Sequence, residues 1–479
     1  MSVYESVTDA IGDTPLFRLR RLAEGIAAPV YAKVEHYNVG GSVKDRAALS
    51  MVERAERDGS LRPGGVIIEG TSGNTGIGLA LVGRSRGYRV LVGVPEKIQP
   101  EKIDILKAYG AEVIKARTDV AREDPAHLFN VVRRLEEEIP GGWLANQYDN
   151  PANPDAHVRT TGPEIWHQTR GRVTHFVAGV GTGGTISGTG QFLKQVSGNT
   201  VQVIGADPET SAYNGQGDGS PYYVESIGHF VHPDTREDVW PESYHPGVVD
   251  RFEIIGDRES LLTARRLSRE EGILAGASSG TAVAGALRVA RELGPDGLVV
   301  TLLPDSGRSY LSKVHSDAWL RTWGFLDEPF EPSILTGEAG EPTVLSVIGR
   351  DRAGTDVVTV ESDATLGEAL SGEALSAGFD TARHPEVPVA LARRDRRSPV
   401  NAAEILGALD LDWAARAVAE GLDPDSPVRD HLAPALPAVG IGQSVPSALD
   451  AMGERKAAVL LVDGRAAGLL TRDDLLKTL

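Results

Sequence analysis

One lysine, three glycine- and hydroxyl-rich turns and a few loop histidines are the residues of this chain whose types and spacing could do chemistry. Lys44 stands in Gly40-Gly41-Ser42-Val43-Lys44-Asp45-Arg46, where an apolar strand over residues 29–35 hands over to a helix running from about Asp45 towards Arg57. Close backbone approach at the glycines strips water from such a lysine, which lowers its pKa and frees the amine for Schiff-base chemistry. The plainer reading is a solvated helix start beside Asp45 and Arg46. Gly70-Thr71-Ser72-Gly73-Asn74-Thr75-Gly76 crowds hydroxyls and amides ahead of a second helix, where N–H groups and the helix dipole suit a carboxylate or phosphate. Simple capping by Ser or Asn competes with that. Gly181-Thr182-Gly183-Gly184-Thr185, after a strand over 176–180, could cradle a phosphate. Gly179-x-Gly181-x-x-Gly184, with Asp207 after the next strand, also fits the dinucleotide fingerprint, so an NAD-dependent enzyme stays open on this segment. His229, His232 and His245 lie in a long polar stretch, 211–246; metal binding is conceivable there, and scattered loop histidines are the simpler reading.

The elements that must position these residues alternate between strand and helix. Val66-Ile67-Ile68, residues 90–94 and residues 298–303 are apolar runs of buried-strand type, each followed by a turn and a helical pattern; one further helix is expected over 98–109. Such alternation implies an α/β fold with a parallel sheet covered on both faces. In these sheets ligands bind in the loops after the carboxyl ends of the strands, which is where the turns at 70–76, 181–185 and Pro304-Asp305-Ser306-Gly307 fall. Gly276-Ala277-Ser278-Ser279-Gly280 precedes another apolar helix, with no role evident from its residues.

Composition narrows the function classes. A chain of 479 residues supports two to four domains, and its 41% hydrophobic and 24% charged content is that of a soluble protein. A net charge of −18 without a basic run argues against nucleic acid or an anionic membrane as partner. With no cysteine there is no disulfide, thiolate zinc site or cysteine nucleophile. The first residues lack a signal-peptide pattern, and no apolar run nears the ~20 residues needed to span a bilayer, so a cytoplasmic protein is expected. Composition shifts at Asp327-Glu328-Pro329-Phe330-Glu331-Pro332, which reads as a linker. Two similar units follow, from 358 and from 437, the second with an Asp463-Gly464 hairpin turn; the first has a rougher counterpart in 387–391, 393–398 and a helix near Asn401.

Lys44, Ser-Gly-Asn-Thr-Gly at 72–76, Gly-Thr-Gly-Gly-Thr at 181–185 and Pro-Asp-Ser at 304–306, in that order, resemble pyridoxal-phosphate enzymes of fold type II, the tryptophan-synthase-β type. Within that group residues 5–326 look like the cystathionine β-synthase family, whose core is close to cysteine synthase. The C-terminal repeats resemble a tandem pair of CBS regulatory domains, a Bateman module. The resemblance implies a catalytic core of two parallel-sheet α/β subdomains over 1–326, a linker over 327–343 and the tandem pair over 344–479. It implies that Lys44 holds pyridoxal 5'-phosphate and shuttles the substrate α-proton. Asn74 would contact the ring hydroxyl, Gly181, Thr182, Gly183, Gly184 and Thr185 the phosphate, and Ser306 the pyridine nitrogen. Thr71, Ser72, Thr75 and Gln147 would bind the substrate carboxylate, with Tyr148, Glu225 and Gly228 also at the substrate.

A serine hydroxyl cannot keep the ring nitrogen protonated as a carboxylate would, so the ring is a weaker electron sink. That favours loss of a β-leaving group as the α-proton departs, giving an aminoacrylate to which a nucleophile adds. The implied activity is a β-replacement lyase joining L-serine, or an activated serine, to L-homocysteine. Cysteine synthesis from O-acetylserine and sulfide, another nucleophile, or a catalytically silent regulatory protein are the alternatives. Ser226 and His229 depart from the family's Glu-Gly-Ile-Gly-Tyr, and the stretch 229–236 is longer than usual, which leaves room for a different nucleophile. Animal relatives carry an N-terminal heme segment that this chain lacks, so no heme is expected. Thr471-x-x-Asp474 matches the pattern that holds an adenosine ribose, implying an adenosyl effector such as S-adenosylmethionine; its expected counterpart near Asn401-x-x-Glu404 departs from that pattern. A ligandless dimerisation pair is the alternative, and a homodimer or tetramer is expected.

Overall fold

The computed structural model describes residues 3–96, 98–327, 341–349, 359–372, 386–391 and 400–476. Two compact units divide the chain, Met1–His315 and Ser316–Leu479. The first opens with β1 (Leu16–Leu19), β2 (Val30–Val34), α1 (Lys44–Asp58), β3 (Val66–Gly70), α2 (Asn74–Ser85) and β4 (Arg89–Pro95). Then come α3 (Pro100–Ala108), β5 (Glu112–Ala116), α4 (Leu128–Glu138), β6 (Gly142–Leu144), α5 (Ala152–Arg159) and α6 (Thr161–Gln168). It closes with β7 (His175–Gly179), α7 (Gly184–Ser197), β8 (Gln202–Pro208), β9 (Arg251–Ile255), α8 (Asp257–Glu270), α9 (Ala277–Arg291) and β10 (Val299–Leu303).

These strands form two sheets, as the alternation predicts. One is four-stranded and all parallel, in the order β5-β4-β3-β6; the other is six-stranded, β1-β2-β10-β7-β8-β9, parallel except for its β1 edge. The apolar runs are the central strands: every residue of β3 and of β10 is buried, as expected of a strand covered on both faces. Met51 and Val52 of α1 and Leu79 of α2 pack on Ile67 and Val92 of the small sheet. Val283, Ala286 and Leu287 of α9 pack on Val177, Ile204 and Val299 of the large one. Two details differ from the sequence reading. Helix α7 runs past Leu193 to Ser197, and β8 continues to Pro208, so Asp207 lies inside a strand and not at its end.

The second unit begins eleven residues before the boundary expected after 326, because the chain from α10 (Asp317–Thr322) onward packs there. Asp463 N–H and Gly464 N–H donate to the carbonyls of Gly324 (3.2 Å) and Trp323 (2.7 Å). After α11 (Val344–Ile348), one pattern occurs twice. First come β11 (Val360–Glu361), α12 (Leu366–Ser371), β12 (Glu386–Ala390), β13 (Ile405–Asp410) and α13 (Leu411–Ala419). Then come β14 (Ala438–Gly440), α14 (Val445–Met452), β15 (Ala457–Val462), β16 (Arg465–Thr471) and α15 (Arg472–Leu476). Each is a three-stranded sheet with one parallel pair and one antiparallel hairpin. Asp463 (φ +50°) and Gly464 (φ +74°) both adopt the left-handed conformation that a tight Asp-Gly turn requires. The expected counterpart of the Thr471 turn is corrected: Asn401 precedes β13 and caps a short 3-10 turn, Ala402–Glu404. In the repeat, the turn after β13 is at Asp410, whose carboxylate accepts the Trp413 N–H (2.9 Å). The stretch 393–398 and residues 328–340 of the expected linker lie outside the described residues.

Candidate active site

Three turns at carboxyl ends of strands, with the turn ahead of α9, build the site. Val43 N–H donates to the Pro304 carbonyl (2.8 Å), tying the lysine turn to the end of β10. Arg46 pairs with Glu35 (2.7 Å) and Glu164 (2.6 Å), and the fully buried Lys33 also pairs with Glu164 (2.5 Å). Asp45 turns back to accept the Gly40 N–H (2.6 Å). The charges flanking Lys44 are therefore consumed inside the protein, and the solvated helix start is ruled out. Burial pulls the Lys44 ammonium down to about 8, against the opposing pull of Asp305.

Helix α2 starts behind Gly73, α7 behind Gly183 and α9 behind Gly276, and none of the three has a side-chain cap. The capping alternative for the 70–76 turn therefore fails. With α1, four helix N-termini meet: Lys44, Asn74, Thr185 and Ser278 line one cleft of about 30 Å³ together with Gly181, Thr182 and Gly183. Uncapped N–H groups and helix dipoles make this an anion site. The glycines are a steric requirement. A Cβ at Gly183 (φ +85°) would sit 2.3 Å from the Tyr244 Cβ, and one at Gly184 would sit 2.2 Å from Asn153 Oδ1. His157 bridges the Thr161 hydroxyl (2.8 Å) and the Thr185 hydroxyl (3.3 Å), and burial pushes its pKa well down, so a neutral imidazole holds the threonine.

A larger cavity of about 310 Å³ shares Lys44, Asn74, Gly181 and Thr182 with the cleft and is also lined by Thr71, Ser72, Thr75, Gln147, Tyr148 and Gly228. Thr75 donates its hydroxyl proton to Gln147 Oε1, and Gln147 N–H donates to Glu69 (3.2 Å). Burial pushes Glu69 up to about 8, which keeps it protonated at neutral pH. Tyr148, half-buried against the cavity, is pushed up to about 12 by desolvation and meets Phe129 edge-on at 5.1 Å. The far side is aromatic: Tyr213, Phe230 and Trp240, with His229 paired to Asp238 (2.6 Å). Among the described residues no group of three histidines and carboxylates is arranged to hold a metal.

Three expected residues are not in the lining: Glu225, Ser306 and Gly184, the last being the first residue of α7. Glu225 is the correction: its carboxylate accepts from Gln99, Lys313 (2.6 Å) and Lys102 (3.3 Å), which hold it outside the cavity. Ser306 caps the short 3-10 turn Gly307–Tyr310, accepting the Arg308 N–H at 3.3 Å, just past the lining residue Pro304. Residue patterns missed two others. Asp305 Oδ2 accepts from Asn74 (2.7 Å) and from the Tyr310 hydroxyl (2.5 Å), and so orients the Asn74 amide. Ser278 reaches the cleft from α9, and its only signal was the unexplained Gly-Ala-Ser-Ser-Gly turn.

A family model, pyridoxal-phosphate dependent enzyme, matches residues 7–305. The chain belongs to this family. Cystathionine beta-synthase of Apis mellifera is 42% identical over 330 residues, covering 68% of this chain and 64% of that relative. The chain thus spans somewhat less than two thirds of that relative's length. The solved O-acetylserine dependent cystathionine beta-synthase from Helicobacter pylori matches at TM-score 0.58 and 38% identity, covering 65% of this chain and 99% of the other. O-ureido-L-serine synthase matches at TM-score 0.60 and 37% identity, covering 67% and 99%. For this pyridoxal-phosphate enzyme the cleft fits the cofactor: an amine of lowered pKa stands beside a glycine cradle at an uncapped helix start. The dinucleotide reading ends here, since Asp207 is fully buried within β8 and accepts from Asn214 (3.2 Å). Among the described residues no helix is long and apolar enough to cross a membrane.

Proposed function

We propose that this chain catalyses β-replacement, joining L-serine or an activated serine to L-homocysteine to give cystathionine. The observation that carries the proposal is one cavity that starts at Lys44, passes an uncapped helix start rich in hydroxyls, and continues to an aromatic outer chamber with room for a second substrate. Lys44 carries the cofactor, and the 181–185 turn takes its phosphate. Asn74, held by Asp305, meets the ring hydroxyl. Ser306 accepts the Arg308 N–H, so its own proton is available to donate to the ring nitrogen. Bound pyridoxal phosphate supplies the electron sink that acidifies the donor's α-carbon. Thr71, Ser72, Thr75 and Gln147 bind the donor carboxylate at the start of α2. Lys44 would take the α-proton as the β-substituent leaves and return it once the incoming sulfur has bonded to the β-carbon; the thiol's own proton goes, in the net balance, to the departing group, released as water from serine or as the free acid from an O-acyl serine. Tyr148 and Gly228 line the passage outward, and Glu225 stays with Lys102 and Lys313.

Cysteine formation from O-acetylserine and sulfide is the second reading; the Helicobacter pylori neighbour is named for an O-acetylserine donor, with cystathionine as its product. Product identity separates the two. Mass spectrometry of the holoenzyme given serine, O-acetylserine, homocysteine and sulfide in pairs should find cystathionine dominant; cysteine with little cystathionine would establish the second reading.

Residues 1–326 are the catalytic part in this proposal, 327–343 the linker and 344–479 a tandem regulatory pair. An adenosyl effector would bind at Thr471 and Asp474, whose carboxylate the Thr471 hydroxyl fixes at 2.7 Å. The enzyme is cytoplasmic and a homodimer or tetramer in this reading.

A further inference from the structure

The outer wall of the cavity is made by two loop segments, 118–129 and 229–241, which hold each other. Arg122 N–H donates to the Thr235 hydroxyl (3.3 Å), and the Glu123 carboxylate accepts from the N–H groups of Arg236 (3.0 Å) and Glu237 (3.4 Å). Asn130 donates to the carbonyls of Arg122 and Asp124, both at 2.8 Å. This bracing presents one cation. The half-buried Arg122 guanidinium lies over the Phe129 ring, 4.6 Å from its centroid, and lines the cavity.

Among the described residues Arg122 pairs with no carboxylate and its side-chain N–H groups meet no acceptor; its contacts are the backbone bonds and the Phe129 ring. The other charges on this wall are accounted for. Asp238 is paired with His229 at 2.6 Å. Asp149 accepts from the Glu242 N–H and from Asn146, each at 3.2 Å. Burial pulls both His127 and His232 below their usual range, leaving neutral rings. A guanidinium oriented by an aromatic face presents a fork of donors matched to a planar carboxylate. Sulfide, with a single acceptor atom, cannot engage both arms of such a fork as a carboxylate does.

We propose that Arg122 anchors the carboxylate of the second substrate, so that the incoming nucleophile is an amino-acid thiol held on the outer wall. The inference rests on the β-replacement reading. It is tested in the holoenzyme with three nucleophiles: homocysteine, 3-aminopropane-1-thiol (homocysteine without its carboxylate) and sulfide. Arg122→Gln should raise KM for homocysteine roughly 10- to 100-fold, the size of a lost charge-assisted pair. It should shrink the preference for homocysteine over the aminothiol by the same factor, and Arg122→Lys should recover part of both. An unchanged KM, a preference kept intact, or an equal loss with all three nucleophiles would overturn the proposal. The absorbance of bound cofactor in each variant separates misfolding from lost recognition. Failure of the unsubstituted enzyme to use homocysteine at all would overturn the parent reading, and is seen before any variant is made.

Discussion

The two ends of the active-site cavity are built on different principles. At the inner end, Lys44, Asn74, Thr185 and Ser278 each sit at or beside the first residue of a helix packed on a parallel sheet, and Gly183 and Gly184 leave no space for a side chain. At the outer end, two irregular segments brace each other through single hydrogen bonds such as Arg122 to Thr235. The inner end places reacting groups with the precision of the core behind it. The outer end can change length and residue type without disturbing that core. Chemistry is assigned to the rigid end and choice of partner to the adaptable one.

Removing the lysine should have the largest effect. Lys44→Ala is expected to cut turnover by at least about 10⁴-fold, since it deletes both the attachment point and the base. The Schiff-base absorbance should vanish with it. In the intact enzyme the released amine must be neutral to take a proton. Turnover should therefore climb with pH until about 8, where Lys44 titrates, and then level off. A variant that keeps turnover would overturn the assignment of the inner end.

A smaller loss, confined to cofactor binding, should follow Gly184→Ala. The new Cβ would fall 2.2 Å from Asn153 Oδ1 and push the start of α7 away from the cleft. About 10- to 100-fold weaker cofactor affinity is expected from spectroscopic titration. Arg122→Gln, at the other end, should leave that affinity alone. If the two variants behave alike in the titration, the division of labour is wrong.

Much of the inner end was legible because local pattern and tertiary position coincide there. An apolar run followed by a glycine turn and a helix puts that turn at a strand's carboxyl end whatever the rest of the chain does. The Asp463-Gly464 hairpin was legible for the same reason. What was missed depends on contacts between distant segments. That Asp305 orients Asn74 spans 231 positions, and no spacing rule reaches so far. Glu225 looked like a substrate ligand from its motif, yet Lys102 and Lys313, from two other elements, claim its carboxylate. Arg122 drew no notice, because a lone arginine in a loop becomes informative only once its surroundings are known. The repeat in the second unit was recognised, but its register was misjudged at Asn401, where a capping box imitates the Thr471-x-x-Asp474 turn.

The junction between the two ends offers the finest test. Ser226 lines both the cleft and the larger cavity, and its φ of +70° belongs to the left-handed region that favours glycine. Its hydroxyl lies 3.4 Å from that of Ser72 in the donor loop. A side chain in this conformation costs roughly 1 kcal/mol relative to glycine. Ser226→Gly should therefore raise the melting temperature by about 2 °C, a shift that size implies for a domain this large. If the strain is retained for function, the same change should weaken donor binding, because the donor loop loses its contact with the 225–228 turn. A higher melting temperature with a raised donor KM would mark Ser226 as the residue that couples the two ends. A lower melting temperature would mean that the hydroxyl contributes more stability than the backbone strain removes, and the turn would then belong to the rigid end of the cavity.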